Sequence, residues 1–123
     1  MSKCFDERAP TDRLFEESSD PVFILDPSAD RIIDANPAGC RMLEYTREEL
    51  LATPISCIHP AELPQLDAFF ETARADGANW TIAMTCRTKS GKFLPTEIAL
   101  FLLDSGTHVY VIGLVRDRSE HRS

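Results

Sequence analysis

The sequence predicts an α+β domain with one antiparallel sheet, and three observations carry the prediction. Two short runs rich in β-branched and aromatic residues, Val22–Asp26 and Arg31–Ala35, flank the turn string Pro27-Ser28-Ala29-Asp30. A helical middle follows, clearest where Leu66, Phe69, Phe70 and Ala73 stand at the i, i+3, i+4 and i+7 spacing of one helix face. Three strand-like segments close the chain, divided by Ser90-Gly91 and by Asp104-Ser105-Gly106. Two strands, a helical middle and a three-stranded meander combine around a single core.

Taken in order, residues 1–11 read as a polar leader, 12–118 as the domain and 119–123 as the start of a connecting segment. A short helix begins near Asp12, with Leu14 and Phe15 apolar and Glu16 and Glu17 polar, and Ser18-Ser19-Asp20-Pro21 stops it. The first two strands form a β-hairpin. Asn36-Pro37 then opens a helix, because Asn caps well and Pro at the first helical position gives up a bond the helix never makes. Its predicted buried side carries Ala38, Met42 and Leu43. Thr46-Arg47-Glu48-Glu49 has the spacing of a capping box, so a second short helix starts there, and Pro54 ends it. The long helix stops at Gly77. In the next strand Trp80, Ile82, Met84 and Cys86 alternate with Thr81, Ala83, Thr85 and Arg87, which predicts that the first set faces the core. Phe93–Leu103 and His108–Val115 complete the meander.

Composition narrows the function classes. The 123 residues suit one domain, and 43% hydrophobic content is enough for a core. The net charge of −7 disfavours nonspecific binding to nucleic acid phosphates or to an anionic membrane. That acidity is uneven: residues 1–86 hold sixteen acidic and seven basic side chains, and residues 87–123 hold four and six. No apolar run approaches the ~18 residues of a membrane span, and Met1–Pro10 lacks the apolar centre of a secretory signal. Cys4, Cys40, Cys57 and Cys86 are scattered without a CxxC pair, so they read as reduced thiols of a cytoplasmic domain. Cys57 and His59 stand too close in sequence for the usual zinc-ligand spacing, and no metal site is assigned. Writing the same pair as nucleophile and base rests on sequence closeness alone. No nucleophile elbow or phosphate-binding glycine loop is present, so no catalytic residue is assigned and the chain is expected not to be an enzyme.

Several local strings, in order, carry a family resemblance. They are Asp34-Ala35-Asn36-Pro37-Ala38-Gly39-Cys40-Arg41-Met42-Leu43, then Tyr45-Thr46-Arg47-Glu48-Glu49-Leu50, then Ile58-His59-Pro60-Ala61-Glu62-Leu63-Pro64. Lys89-Ser90-Gly91-Lys92 with Pro95-Thr96-Glu97-Ile98 comes next, and Gly113-Leu114-Val115-Arg116-Asp117-Arg118-Ser119-Glu120 closes the series. Together they resemble the PAS sensory domain family over roughly residues 12–122. The resemblance implies a five-stranded antiparallel sheet with short helices packed on one face, and a cleft between them that holds a small ligand, a cofactor or nothing. Two departures stand out. Glu44 occupies a position where the family commonly has Gly, so either the backbone there is strained or the local turn is shifted; the sequence favours the shifted turn. Arg118 and Ser119 replace the more usual Ile and Thr, and Ser119 can still cap a following helix.

The resemblance also sets expectations for the site. Haem-binding relatives place a histidine on or near the long helix, but residues 61–76 contain none; His59 falls at a structural turn, His108 opens the last strand and His121 lies in the tail. In flavin photoreceptors of the superfamily the reactive cysteine would fall on Ile55, and Cys57 is two residues late. No cofactor is therefore predicted. A noncovalent site for an unidentified small ligand fits better, lined by Met42, Leu43, Ile58, Phe69, Phe70, Met84, Ile98 and Leu100, with Thr96 as a polar handle. The same residues at the same spacings also suit an ordinary filled core. Leu14 and Phe15 are the candidate dimer contacts, and Asp117, Ser119 and Glu120 the candidate signal exit. The expected partners are a second copy and a covalently linked output domain: a histidine kinase, a cyclic-dinucleotide enzyme or a helix-turn-helix regulator. Neither direct nucleic acid binding nor a membrane is expected.

Overall fold

The computed structural model describes residues 15–59 and 62–119. Its strands are β1 (Val22–Asp26), β2 (Arg31–Ala35), β3 (Ala78–Arg87), β4 (Phe93–Asp104) and β5 (Val109–Asp117). Its helices are α1 (Pro37–Leu43), α2 (Arg47–Leu51), α3 (Ile55–Ile58) and α4 (Leu63–Asp76), with a 3-10 turn at Pro27–Ala29. Phe15–Glu17 are also helical. The strands form one five-stranded sheet in the order β2-β1-β5-β4-β3, with all neighbours antiparallel. This is the α+β sheet expected from the sequence. The leader, Leu14 and Glu120 lie outside the described residues.

Local chemistry explains most of the boundaries. Asn36 caps α1 by accepting from the Gly39 amide at 2.9 Å, and Pro37 takes the first helical position. Thr46 and Glu49 exchange the two bonds of a capping box at the start of α2. The α4 stripe buries the four residues its spacing marks, Leu66, Phe69, Phe70 and Ala73, and Gly77 closes the helix at φ 87°. Burial of each large apolar side chain contributes about 1.5–3 kcal/mol, which offsets a helix whose first turn has no side-chain cap.

Two local expectations are corrected, and one helix is added. The second short helix ends before Pro54 as expected, and α3, which the sequence did not announce, forms immediately after that proline, capped from a distance. The Asp30 carboxylate accepts from the Ser56 amide at 2.9 Å and from its hydroxyl at 2.6 Å, and no local sequence rule reveals a cap supplied from 26 residues away. In β3, Trp80 and Ile82 do not face the core; they are 56% and 47% exposed, while Met84 and Cys86 are buried. A register shift between Thr81 and Met84 reverses the alternation, because one extra residue on a strand turns every later side chain to the opposite face. Met42 is only half-buried, and Gly39 takes the place on the buried side of α1 that had been expected of it.

The two faces of the sheet differ. Thr96, Ile98 and Leu100 of β4 and Val111 and Val115 of β5 point into the core against the helices. On the opposite face Trp80, Ile82, Phe101, Leu103 and Leu114 are exposed, with Ile24, Ala99 and Ile112 half-buried among the same strands. No described helix is long and apolar enough to cross a membrane.

Candidate functional site

A small cleft lies between the inner sheet face and the helices. Its sheet side is built from Phe23, Leu25, Ile32, Cys86, Ile98, Leu100, Gly113 and Val115. Its helix side comes from Leu43, Ile58, His59, Leu66, Phe69 and Phe70. The enclosed space is about 50 Å³, a few times the ~10–15 Å³ that one water needs. Among the described residues no carboxylate, lysine or arginine lines it, and His59 is the one strongly polar side chain that does.

His59 is 7% exposed and follows the last turn of α3. Its Nδ1 sits 2.6 Å from the Thr85 carbonyl oxygen. A carbonyl only accepts, so Nδ1 carries a proton, and in the neutral ring Nε2 is left with a lone pair. The Glu62 carboxylate flanks this arrangement, 3.5 Å from Nδ1, and accepts from the Thr85 amide at 3.1 Å. Burial pushes the imidazole below its ordinary value and favours the neutral ring, against the opposing pull of the Thr85 and Glu62 contacts. Nε2 has one partner among the described residues, the Cys86 sulfur at 3.9 Å. Burial pushes the Cys86 thiol up to about 12, which removes it as a thiolate nucleophile. Cys57 is exposed and lies away from the cleft lining, so it does not pair with His59. Among the described residues no group of three His, Cys, Asp or Glu side chains is gathered as a metal site.

Of the sequence-named cleft residues, Leu43, Ile58, Phe69, Phe70, Ile98 and Leu100 line the space. Met42, Met84 and Thr96 do not. Thr96 does turn inward, but its hydroxyl is fully buried and donates to the Met84 carbonyl at 2.9 Å, so it is no free handle for a ligand. The residues not anticipated were chiefly Phe23 and Leu25 of β1, which alternate with Val22 and Ile24, and His59, whose position reads as a turn until the Thr85 contact is known.

Around the cleft, three polar contacts tie distant segments together. Glu44 adopts the left-handed conformation at φ 70°, so the turn is not shifted and the residue holds the strained backbone itself. Its carboxylate accepts from the Ser90 amide at 3.2 Å and faces Lys92 at 3.2 Å; the Ser90 side chain, with Lys92 and the Ser90 amide behind it, lowers the group to about 2. Glu49 pairs with Lys89 at 2.7 Å, beside a bond from the Lys89 amide to the Leu43 carbonyl. At the other end of the sheet Asp26 faces His108 at 3.1 Å, and Ser28, donating to Asp26, is the main reason this carboxyl lies below its ordinary range.

At the candidate exit, the Asp117 carboxylate accepts from both the amide and the hydroxyl of Ser119, at 2.8 and 2.5 Å. Ser119 is therefore a donor here, and a cap to a following helix would fall outside the described residues. Phe15 is half-buried, and its carbonyl accepts from the Asn36 side chain at 3.0 Å.

The sequence model of one family, described as PAS domain, matches residues 19–120. No curated protein matches the chain. Among solved structures, a PAS domain from Colwellia psychrerythraea is similar at a TM-score of 0.80 and 18% identity, covering 90% of this chain and 96% of that one. A PAS domain from a two-component sensor histidine kinase has a TM-score of 0.74 and 23% identity, covering 87% and 92%. A domain of a sensory box sensor histidine kinase/response regulator from Geobacter sulfurreducens is 31% identical at a TM-score of 0.66, covering 87% and 90%.

Proposed function

This chain belongs to the PAS domain family, and we propose that it is the signal-sensing module of a larger bacterial signalling or transcription regulatory protein. In this reading a small molecule binds noncovalently in the cleft between the sheet and α3–α4. Binding shifts the packing of β5, and the strand end at Asp117 and Ser119 transmits a bias to a covalently linked output domain. That domain is a histidine kinase, a cyclic-dinucleotide enzyme or a helix-turn-helix regulator, and the module works in the cytoplasm. The observation that carries the reading is an apolar space with one uncharged polar side chain, His59, built where sheet and helices meet. Apolar walls with few polar groups are the usual form of a small-ligand site. At about 50 Å³ the space takes a ligand of a few heavy atoms, or the lining side chains part to admit a larger one. Native mass spectrometry of freshly purified protein tests this: a small co-purifying mass, lost on denaturation, is the expected result. A mass of the bare chain that stays unchanged after incubation with cell extract speaks against it.

A second reading, a ligand-free dimerisation module, is favoured by the outer sheet face. Trp80, Ile82, Phe101, Leu103 and Leu114 leave an apolar surface there, which two copies bury when they pack together. Sedimentation of the wild type and of Leu114→Arg separates the cases. A dimer that the substitution dissociates supports this surface, and a wild-type monomer at high concentration removes it.

A further inference from the structure

We propose that the cleft selects a small neutral apolar ligand bearing a single hydrogen-bond donor, an N–H or O–H, which it directs at Nε2 of His59. The inference rests on the reading of the cleft as a ligand site and adds the class of ligand that the site takes. Three observations lead to it. The tautomer is fixed from outside the cleft, because the Thr85 carbonyl at 2.6 Å accepts only and holds the proton on Nδ1. In the neutral ring Nε2 is therefore an acceptor on a residue that is only 7% exposed, and its one partner among the described residues is a thiol at 3.9 Å. A thiol is a weak donor, and Cys86 also lies 3.9 Å from the Thr96 hydroxyl, so its proton has a competing acceptor.

A buried acceptor served only by a weak donor rewards a ligand that brings a better one. The rest of the lining sets what else the ligand carries. Phe69, Phe70, Leu66 and Val115 offer no polar group to match a second donor or acceptor. Among the described residues no lysine or arginine lines the space, and the Glu62 carboxylate beside His59 is occupied by the Thr85 amide and hydroxyl. An anionic ligand would meet a lone pair and no cation, and it would lose its hydration without replacement. The site thus discriminates by one hydrogen bond and by the absence of charge.

Three probes of nearly equal ring size test this on the whole chain: pyrrole, which donates an N–H; furan, which cannot donate; and pyrrole-2-carboxylate, which donates but is charged. Amide shifts of Cys86 and Gly113 in titrations of labelled protein report occupancy, and the ¹⁵N shift of His59 Nε2 reports the bond itself. Pyrrole is expected to bind roughly 3- to 10-fold more tightly than furan and to move Nε2 toward the shift of a protonated nitrogen, while furan leaves it in place. The carboxylate is expected to bind more weakly than pyrrole. His59→Asn keeps a donor for the Thr85 carbonyl and removes Nε2, so pyrrole and furan should then bind alike. Equal affinities in the wild type, or an unmoved Nε2 under bound pyrrole, overturn this inference and leave the cleft a ligand site. Absence of binding by both neutral probes overturns the cleft reading and this inference with it.

Discussion

Asn36 shows how one residue can fix several segments. It is fully buried, yet every polar atom it has is used: Oδ1 accepts from the Val22 and Gly39 amides, and Nδ2 donates to the Phe15 and Asp20 carbonyls. The cap to α1 was legible from Asn36-Pro37, because capping is a local rule. The other three bonds were not, since they depend on where β1 and the segment before it come to lie. Asn36→Ala strands the buried Gly39 amide, the partly buried Val22 amide and two partly buried carbonyls, and it should cost about 2–4 kcal/mol, read as a lower midpoint in urea unfolding. Asn36→Asp keeps the acceptor and loses the donor, so it should fall between the two. A loss within 1 kcal/mol for the alanine variant would mean that water replaces the whole set. Glu44 was legible in the opposite sense. The family resemblance marked the position as one that favours glycine and suggested a shifted turn; it could not reveal that Ser90 and Lys92, far along the chain, hold the glutamate in the unshifted one.

Close approach decides the packing of elements, and α1 on β1 is a case in point. A methyl group added at Gly39 would lie 2.8 and 2.9 Å from the ring of Phe23, which is only 5% exposed. Helix propensity alone favours Gly39→Ala by up to about 1 kcal/mol, while overpacking a filled site costs about 1–3 kcal/mol. The clash should win, leaving a net loss of about 1–2 kcal/mol. In a Phe23→Leu background, which removes the ring, the same substitution should be neutral or stabilising, so a double-mutant cycle isolates the contact. Additive effects in that cycle would show that Gly39 answers to something other than Phe23. Elements were legible wherever period and punctuation agree, as in α4, where the stripe and Gly77 name both the face and the end. They were not legible where tertiary contacts override the local pattern: the bulge that turns Trp80 and Ile82 outward has no signature in Thr81–Met84, and α3 rests on a carboxylate from the first hairpin. The same limit explains why six of the nine cleft candidates line the space while His59 was passed over, since its tautomer is set by a strand that follows α4.

At the scale of the whole molecule, the sheet and the helical segment are held in register by ionisable groups, so stability should follow pH in two stages. Burial lowers the folded value of His59 below its ordinary 6.5, which means the unfolded chain takes up this proton first. Stability is then complete above about 6.5 and falls as pH drops from there toward the folded value. Asp26, Glu44 and Glu49 behave as depressed carboxylates, each linking segments far apart in sequence: β1 to the β4–β5 turn through His108, and the helical segment to the β3–β4 turn through Ser90, Lys92 and Lys89. Their contribution is present above the ordinary values of 3.8 and 4.5 and is lost as pH falls through the folded ones, about 2 for Glu44. Thermal melts from about pH 8 to pH 3 should therefore show a first decline setting in near pH 6.5 and a steeper one below about pH 4.5. His59→Asn, which does not titrate, should abolish the first stage and keep the second. Added salt should blunt the part of the second stage that comes from the exposed Glu44 and Glu49 pairs, because surface charges are screened, and it should leave the first stage nearly unchanged, because His59 is buried. A melting temperature that stays flat down to about pH 4.5 would remove His59 as a buried neutral group, and with it the lone pair that the cleft offers a ligand.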